Sequence, residues 1–119
     1  MKQYEIWTED FEFRFGKYRD SIPDLSERDI EDLYFDQNSF DPRCVATFDT
    51  LKEAEKEFEK NYTNNITRPE STFNGWWILR GDIAYIEEVD YYVNGDYDHG
   101  EIVAFSCAPY KKEEKEEDQ

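Results

Sequence analysis

The segment from Asp90 to Glu101 contains the residues whose types and spacing come closest to a cation-binding pattern. Four of its residues fall where an EF-hand calcium loop needs a ligand or a turn: Asp90, Asn94, Gly95 and Glu101. The third loop position is Tyr92, which cannot donate a carboxylate, and both flanks alternate like strands, whereas an EF-hand loop joins two helices. The sequence Asp96-x-Asp98-x-Gly100 also fits an ordinary turn. A calcium-binding module is therefore an alternative interpretation, and we predict no metal site.

The single histidine and the two cysteines do not form a catalytic or zinc-binding pattern. His99 is the only histidine and falls in a predicted turn, so a nucleophile would lack the paired base that a catalytic triad needs. Cys44 and Cys107 do not show the short ligand spacing of a structural zinc site. We predict a non-enzymatic protein with free thiols and no cofactor. A Cys44–Cys107 disulfide stays an alternative, because both residues lie in predicted strands that could be neighbours.

Acidic residues outnumber basic ones, with 30 Asp and Glu against 14 Lys and Arg in 119 residues and a formal net charge of −16. This sign repels phosphates and anionic lipids, so we predict binding neither to nucleic acid nor to membranes. The imbalance is greatest in residues 76–101, which hold seven acids and one base. At the duplex DNA spacing of one charge per roughly 1.7 Å, the net charge would span about 27 Å, close to the width of a compact globule of this length. We therefore expect a charge density comparable with that of a nucleic acid segment.

The first half of the chain alternates between strand and helix patterns. Residues 2–8 and 11–15 each alternate apolar and polar side chains and predict two strands. Helices are predicted over residues 26–35 and 50–62. Each opens on a capping pair, Ser26 with Asp29 and Thr50 with Glu53. Between the helices, residues 35–42 are typical of a turn and residues 43–48 of a short strand.

Residues 76–110 hold the densest apolar pattern and predict antiparallel sheet. Residues 61–75, rich in Asn, Thr and Ser and without periodicity, predict a long loop. The Arg80-Gly81-Asp82 tripeptide predicts a tight turn rather than an adhesion site, and Asn94-Gly95 predicts a hairpin. Of Trp76 and Trp77, one should lie in the core and the other should either cover a helix or be exposed, since successive strand residues point to opposite faces.

Together these elements predict an α+β fold, an antiparallel sheet of four to six strands with one or two helices packed on one face. We expect a single domain over residues 1–110 and a disordered charged tail over residues 111–119, which lack apolar side chains. The sequence contains neither a secretory signal nor an apolar run of ~18 residues, which predicts a cytoplasmic protein.

In size, acidity and aromatic content the chain resembles inhibitors carried by phages and mobile elements, such as anti-CRISPR and anti-restriction proteins. The resemblance implies a nucleic-acid mimic that presents carboxylates to the basic binding site of a nuclease or another nucleic-acid-binding protein. An immunity protein or antitoxin that neutralises a basic toxin is the second interpretation, because it would use the same electrostatics. The predicted partner surface consists of carboxylates and aromatic anchors: Glu87, Glu88, Asp90, Asp96, Asp98, Glu101, Trp77, Tyr92 and Tyr97.

Overall fold

The computed structural model describes residues 1–18 and 24–110; the predicted tail at 111–119 lies outside the described residues. The elements are β1 (Lys2–Gly16), α1 (Glu27–Phe35), β2 (Ser39–Phe48), α2 (Leu51–Asn61), β3 (Ile66–Ser71), β4 (Trp77–Tyr91), β5 (Tyr97–Ser106) and β6 (Ala108–Pro109). The strands form one six-stranded sheet that is antiparallel except for the short pairing of β3 with β6. The predicted α+β class is therefore confirmed. Neither helix in the described ranges is long and apolar enough to span a membrane.

Two strands of 15 residues each, β1 and β4, form the centre of the sheet. Their antiparallel register runs without a shift from Lys2 opposite Asp90 to Arg14 opposite Ile78. Strand β2 flanks β1, and β3 and β5 flank different halves of β4. The molecule measures 60 × 29 × 19 Å, with a radius of gyration of 16.9 Å. The prediction of a compact globule is wrong, because the long strands extend the sheet along one axis. The expected charge density was calculated from the width of such a globule and is therefore not supported.

The register places alternate residues of β1 and β4 on two faces, and each helix packs on a different face. One core cluster joins sheet residues to α2: Ile6, Ala84 and Ile86 with Ala54 and Phe58. The other joins sheet residues and Cys107 to α1: Phe11, Leu79 and Ile83 with Ile30. Because both faces are covered, the four consecutive residues 83–86 of β4 are all buried. The structure thus refines the expected arrangement, with one helix on each face rather than both on one.

Both predicted helix starts are confirmed. The Asp29 amide donates to Ser26 Oγ at 3.1 Å, and the Ser26 amide donates to the Asp29 carboxylate at 2.7 Å, which completes a capping box. At α2, the Glu53 amide donates to Thr50 Oγ1 at 3.2 Å. These bonds satisfy amides at the first turn of each helix, which have no partner within the helix.

Several breaks expected in the first half of the chain and before the hairpin are wrong. Residues 2–8 and 11–15 belong to one strand, β1, and β2 begins at Ser39 inside the expected turn. The expected loop at 61–75 contains β3. The strands are longer than predicted because each lies beside a long partner that satisfies its backbone groups, and local side-chain patterns do not carry that information.

Two expected turns in the C-terminal half are also wrong. The Arg80-Gly81-Asp82 tripeptide lies within β4. The neighbouring strand β3 lies so close here that a Cβ on Gly81 would be 3.0 Å from Thr67 Cα. The Asp96–Gly100 segment enters β5 at Tyr97, so His99 is an exposed strand residue and not a turn residue. The hairpin at Asn94-Gly95 is confirmed, and Gly95 has a φ of +91°. Strands on both sides of this turn do not fit an EF-hand.

The two cysteines are free and far apart in the sheet. Cys44 is exposed on β2, and Cys107 is buried after β5 beside Thr67 Oγ1 at 3.0 Å. Strands β1 and β4 separate β2 from β5, so the expectation that the cysteines could be neighbours is wrong. Free thiols, the leading prediction, agree with this arrangement.

Candidate functional site

Three carboxylates lie on the face of the sheet that α1 partly covers. Glu5 is directly opposite Glu87 in the β1–β4 register. Glu9 lies four residues further along β1, on the same face of the sheet as Glu5, Glu87 and Tyr85. Glu5 and Glu9 are only 7% and 8% exposed. Buried carboxylates need hydrogen-bond partners, and both have them.

Glu9 accepts three hydrogen bonds from hydroxyl groups. Tyr85 and Tyr34 donate to Oε2 at 2.6 and 3.0 Å, and Ser39 donates to Oε1 at 3.1 Å. Burial, followed by the hydrogen bond to Glu9, raises the pKa of Tyr85 far above its usual range. Burial also raises the pKa of Tyr34 to about 12. Both phenols are therefore protonated donors at neutral pH, and Glu9 links α1, β2 and β4 around one carboxylate.

Glu5, Glu87 and His99 form a second cluster nearer the β4–β5 hairpin. Tyr91 and Trp7 donate to the two oxygens of Glu5 at 2.7 and 3.1 Å. His99 Nδ1 contacts Oε1 of Glu87. Because Tyr91 donates to Glu5, the pKa of Tyr91 is raised to about 12. One candidate ligand atom from each of Glu5, Glu87 and His99 lies within 4.8 Å of the other two.

A depression of about 260 Å³ lies between these two carboxylate clusters. Its walls combine rings and carboxylates: Trp7, Glu9, Pro42, Tyr85, Glu87 and His99. The His99 ring makes T-shaped contacts with the rings of Trp7 and Tyr97, with centroid separations of 6.3 and 5.1 Å. The depression is thus lined by one imidazole and two carboxylates, contributed by three strands, together with aromatic rings.

The hairpin between β4 and β5 presents a different surface of exposed carboxylates and apolar side chains. Tyr92, Val93 and Tyr97 are exposed. The Tyr92 hydroxyl donates to Asp98 at 2.6 Å, and the Asp96 amide donates to the Asn94 side chain at 3.1 Å. The turn is therefore fixed by its own side chains.

The structure brings together five of the nine predicted partner-binding residues in the hairpin and the first part of β5. All five are exposed: Asp96, Asp98, Glu101, Tyr92 and Tyr97. Glu88 and Asp90 lie nearby but bind the Lys2 ammonium at 3.0 Å and the N-terminal ammonium at 3.6 Å. Glu87 faces the depression with a side chain only 13% exposed. Trp77 packs against the core cluster of α1.

Sequence reasoning did not select Glu5, Glu9, Trp7 or Tyr91. A signal was present, because Glu87 interrupts an otherwise apolar face of its strand, and Glu5 and Glu9 lie on the same face of their strand as Trp7 and Phe11. A carboxylate at a buried position of a strand requires partners. Those partners come from other elements, and the register that supplies them cannot be read from local periodicity.

No protein-family model matches the chain, and neither a curated protein nor a solved structure matches it significantly. The basis for a functional proposal is therefore the charge and geometry of the two surfaces described above.

Proposed function

We propose that this chain is a non-enzymatic acidic protein that binds a basic protein partner through the β4–β5 hairpin. The observation that supports this most is the set of three exposed carboxylates at Asp96, Asp98 and Glu101. Within residues 1–18 and 24–110, the ion pairs of Lys and Arg involve other acids, so no described Lys or Arg neutralises these three.

Exposed rings stand beside these carboxylates. Tyr92 and Tyr97 are 50% and 53% exposed, and Val93 at the turn is fully exposed. Charged groups at the rim of an interface accelerate association, whereas buried aromatic side chains supply most of the affinity. The hydrogen bond from Tyr92 to Asp98 holds one ring and one carboxylate in place before binding, which reduces the entropy lost on association.

The partner class that best fits is a protein whose basic site normally binds nucleic acid, such as a nuclease. Carboxylates on a rigid hairpin would occupy positions that phosphates otherwise take, and binding would inhibit the partner by blocking that site. A basic toxin neutralised by its immunity protein would be recognised by the same chemistry, so the activity of the captured partner distinguishes the two.

The test compares two variants that lose the same charge. One carries Asp96→Asn, Asp98→Asn and Glu101→Gln; the control carries Glu55→Gln, Glu57→Gln and Glu59→Gln on α2. Immobilised wild-type protein and the control should retain a basic nucleic-acid-binding protein at low salt, and the hairpin variant should lose it. Retention should also fall with salt, because the screening length shrinks from about 10 Å at 0.1 M to about 3 Å at 1 M. Equal retention by both variants would contradict the proposal.

A further inference from the structure

We propose that Glu5, Glu87 and His99 form a binding site for a first-row divalent transition metal ion such as Zn²⁺. This site is separate from the hairpin surface and does not rest on the proposed function. Its ligands come from the three adjacent strands β1, β4 and β5. The candidate ligand atoms lie within 4.8 Å of one another, close enough for one ion to contact all three after small side-chain adjustments.

The ligand chemistry favours a transition metal over calcium or magnesium. An imidazole nitrogen with two carboxylates is a donor set that suits Zn²⁺ and its neighbours, whereas Ca²⁺ and Mg²⁺ prefer oxygen ligands alone. Three protein ligands leave at least one coordination position open. That position would face the depression of about 260 Å³ beside Trp7 and His99.

The surrounding residues orient the ligands. Tyr91 and Trp7 each donate one hydrogen bond to Glu5, at 2.7 and 3.1 Å, and these bonds fix the carboxylate of this buried residue. Each carboxylate oxygen has two lone pairs, so an acceptor position stays available on both. Supporting hydrogen bonds of this kind orient the ligating side chains in metalloproteins.

The charge balance at the site also favours a cation. Glu5, Glu9 and Glu87 share one face of the sheet, and the Lys and Arg ion pairs formed by the described residues go to Glu88, Asp10, Glu12 and Glu70 instead. Among the described residues, the ion pair formed with one of these three acids comes from His99, which contacts Glu87. A divalent ion bound by Nδ1 and the Glu5 and Glu87 carboxylates would offset more of the carboxylate charge than a single positive charge can.

The site can be tested by NMR on untagged protein, because His99 is the only histidine and gives a single set of imidazole resonances. All variants carry Cys44→Ser, which removes the exposed thiol as a competing ligand. Titration with Zn²⁺ should shift the imidazole resonances to saturation at one ion per chain. Glu87→Gln should weaken binding by about tenfold or more, whereas Glu88→Gln, next in sequence but on the opposite face, should leave the affinity unchanged.

Calorimetry on His99→Gln provides a second measurement, at a side chain that is 50% exposed. The one-site Zn²⁺ signal should disappear. The proposal is overturned if the imidazole resonances do not respond to Zn²⁺. It is also overturned if Glu87→Gln and Glu88→Gln bind Zn²⁺ alike, or if Ca²⁺ and Mg²⁺ shift the resonances as strongly as Zn²⁺.

Discussion

Gly100 on β5 lies so close to Glu88 on β4 that a Cβ at position 100 would be 2.6 Å from the Glu88 carbonyl oxygen. The register between the two strands shifts here, between Glu87 opposite Ile102 and Val89 opposite His99. In the same region, His99 contacts Glu87. Gly100, which has no side chain, therefore permits a close approach of the two strands next to this contact.

Replacing Gly100 with alanine should push β5 away from β4. Because the clash involves backbone atoms, we expect a loss in the free energy of unfolding of about 1 to 3 kcal/mol, the usual range for overpacking. Urea denaturation would measure it. Val103→Ala, at a half-exposed position of the same strand, is the control and should change stability by no more than about 0.5 kcal/mol. Equal stability of Gly100→Ala and wild type would show that β5 does not approach β4 as described.

Removing the Tyr85 hydroxyl should destabilise the fold through Glu9. The bond from Tyr85 to the buried carboxylate measures 2.6 Å, and a hydrogen bond to a charged group contributes about 1.5 to 3 kcal/mol. Tyr85→Phe should lower the free energy of unfolding by that amount in urea denaturation. Tyr92→Phe, which removes an exposed tyrosine–carboxylate bond, should cost clearly less. The importance of Glu9 as a link between elements would be refuted if the two variants lost the same amount.

The raised pKa of Tyr34 predicts a loss of stability at alkaline pH. The pKa of Tyr34 rises from 10.0 to about 12 on folding, mainly because the ring is buried. The unfolded chain therefore releases this proton first, so the contribution of Tyr34 is complete below pH 10 and is lost as the pH approaches 12. Urea midpoints measured across this range should fall with pH. Tyr34→Phe should make the fall shallower, and an unchanged slope would contradict the assignment.

The two thiols should differ in reactivity. Cys107 is fully buried, and burial raises its pKa to about 11, whereas Cys44 is exposed. Thiolates are the reactive species, so a thiol reagent should modify one cysteine in the folded protein and both after unfolding. Cys44→Ser should abolish the reaction of the folded protein. Rapid modification of Cys107 in that variant would show that the region around Thr67 opens readily.

The parts of the fold that could be predicted are those set by local chemistry. Ser26 and Thr50 mark helix starts because a capping side chain acts on amides only a few residues away, and Asn94-Gly95 marks a turn because Gly95 adopts a positive φ. The same local reasoning predicts a turn at Gly81, and that prediction is wrong. A glycine can also permit the close approach of another strand, as Gly81 does for β3. Only the tertiary pairing with β3 distinguishes the two cases.

The candidate site was less predictable than the fold. The exposed hairpin acids follow from charge counting, because Asp96 and Asp98 lie in one short segment. Glu5 and His99 are far apart in the sequence, and only the pairing of β1 with β4 and of β4 with β5 brings them together. Long-range register of this kind is not encoded in the spacing of any single stretch.

The most direct test of the proposed function is a hydrogen-exchange footprint of the complex between wild-type protein and the basic partner it retains. We predict that amides of residues 92–101 gain protection on binding, whereas amides of α1 and α2 do not change. Protection confined to either helix, with the hairpin unchanged, would contradict the proposal that the acidic hairpin is the binding surface.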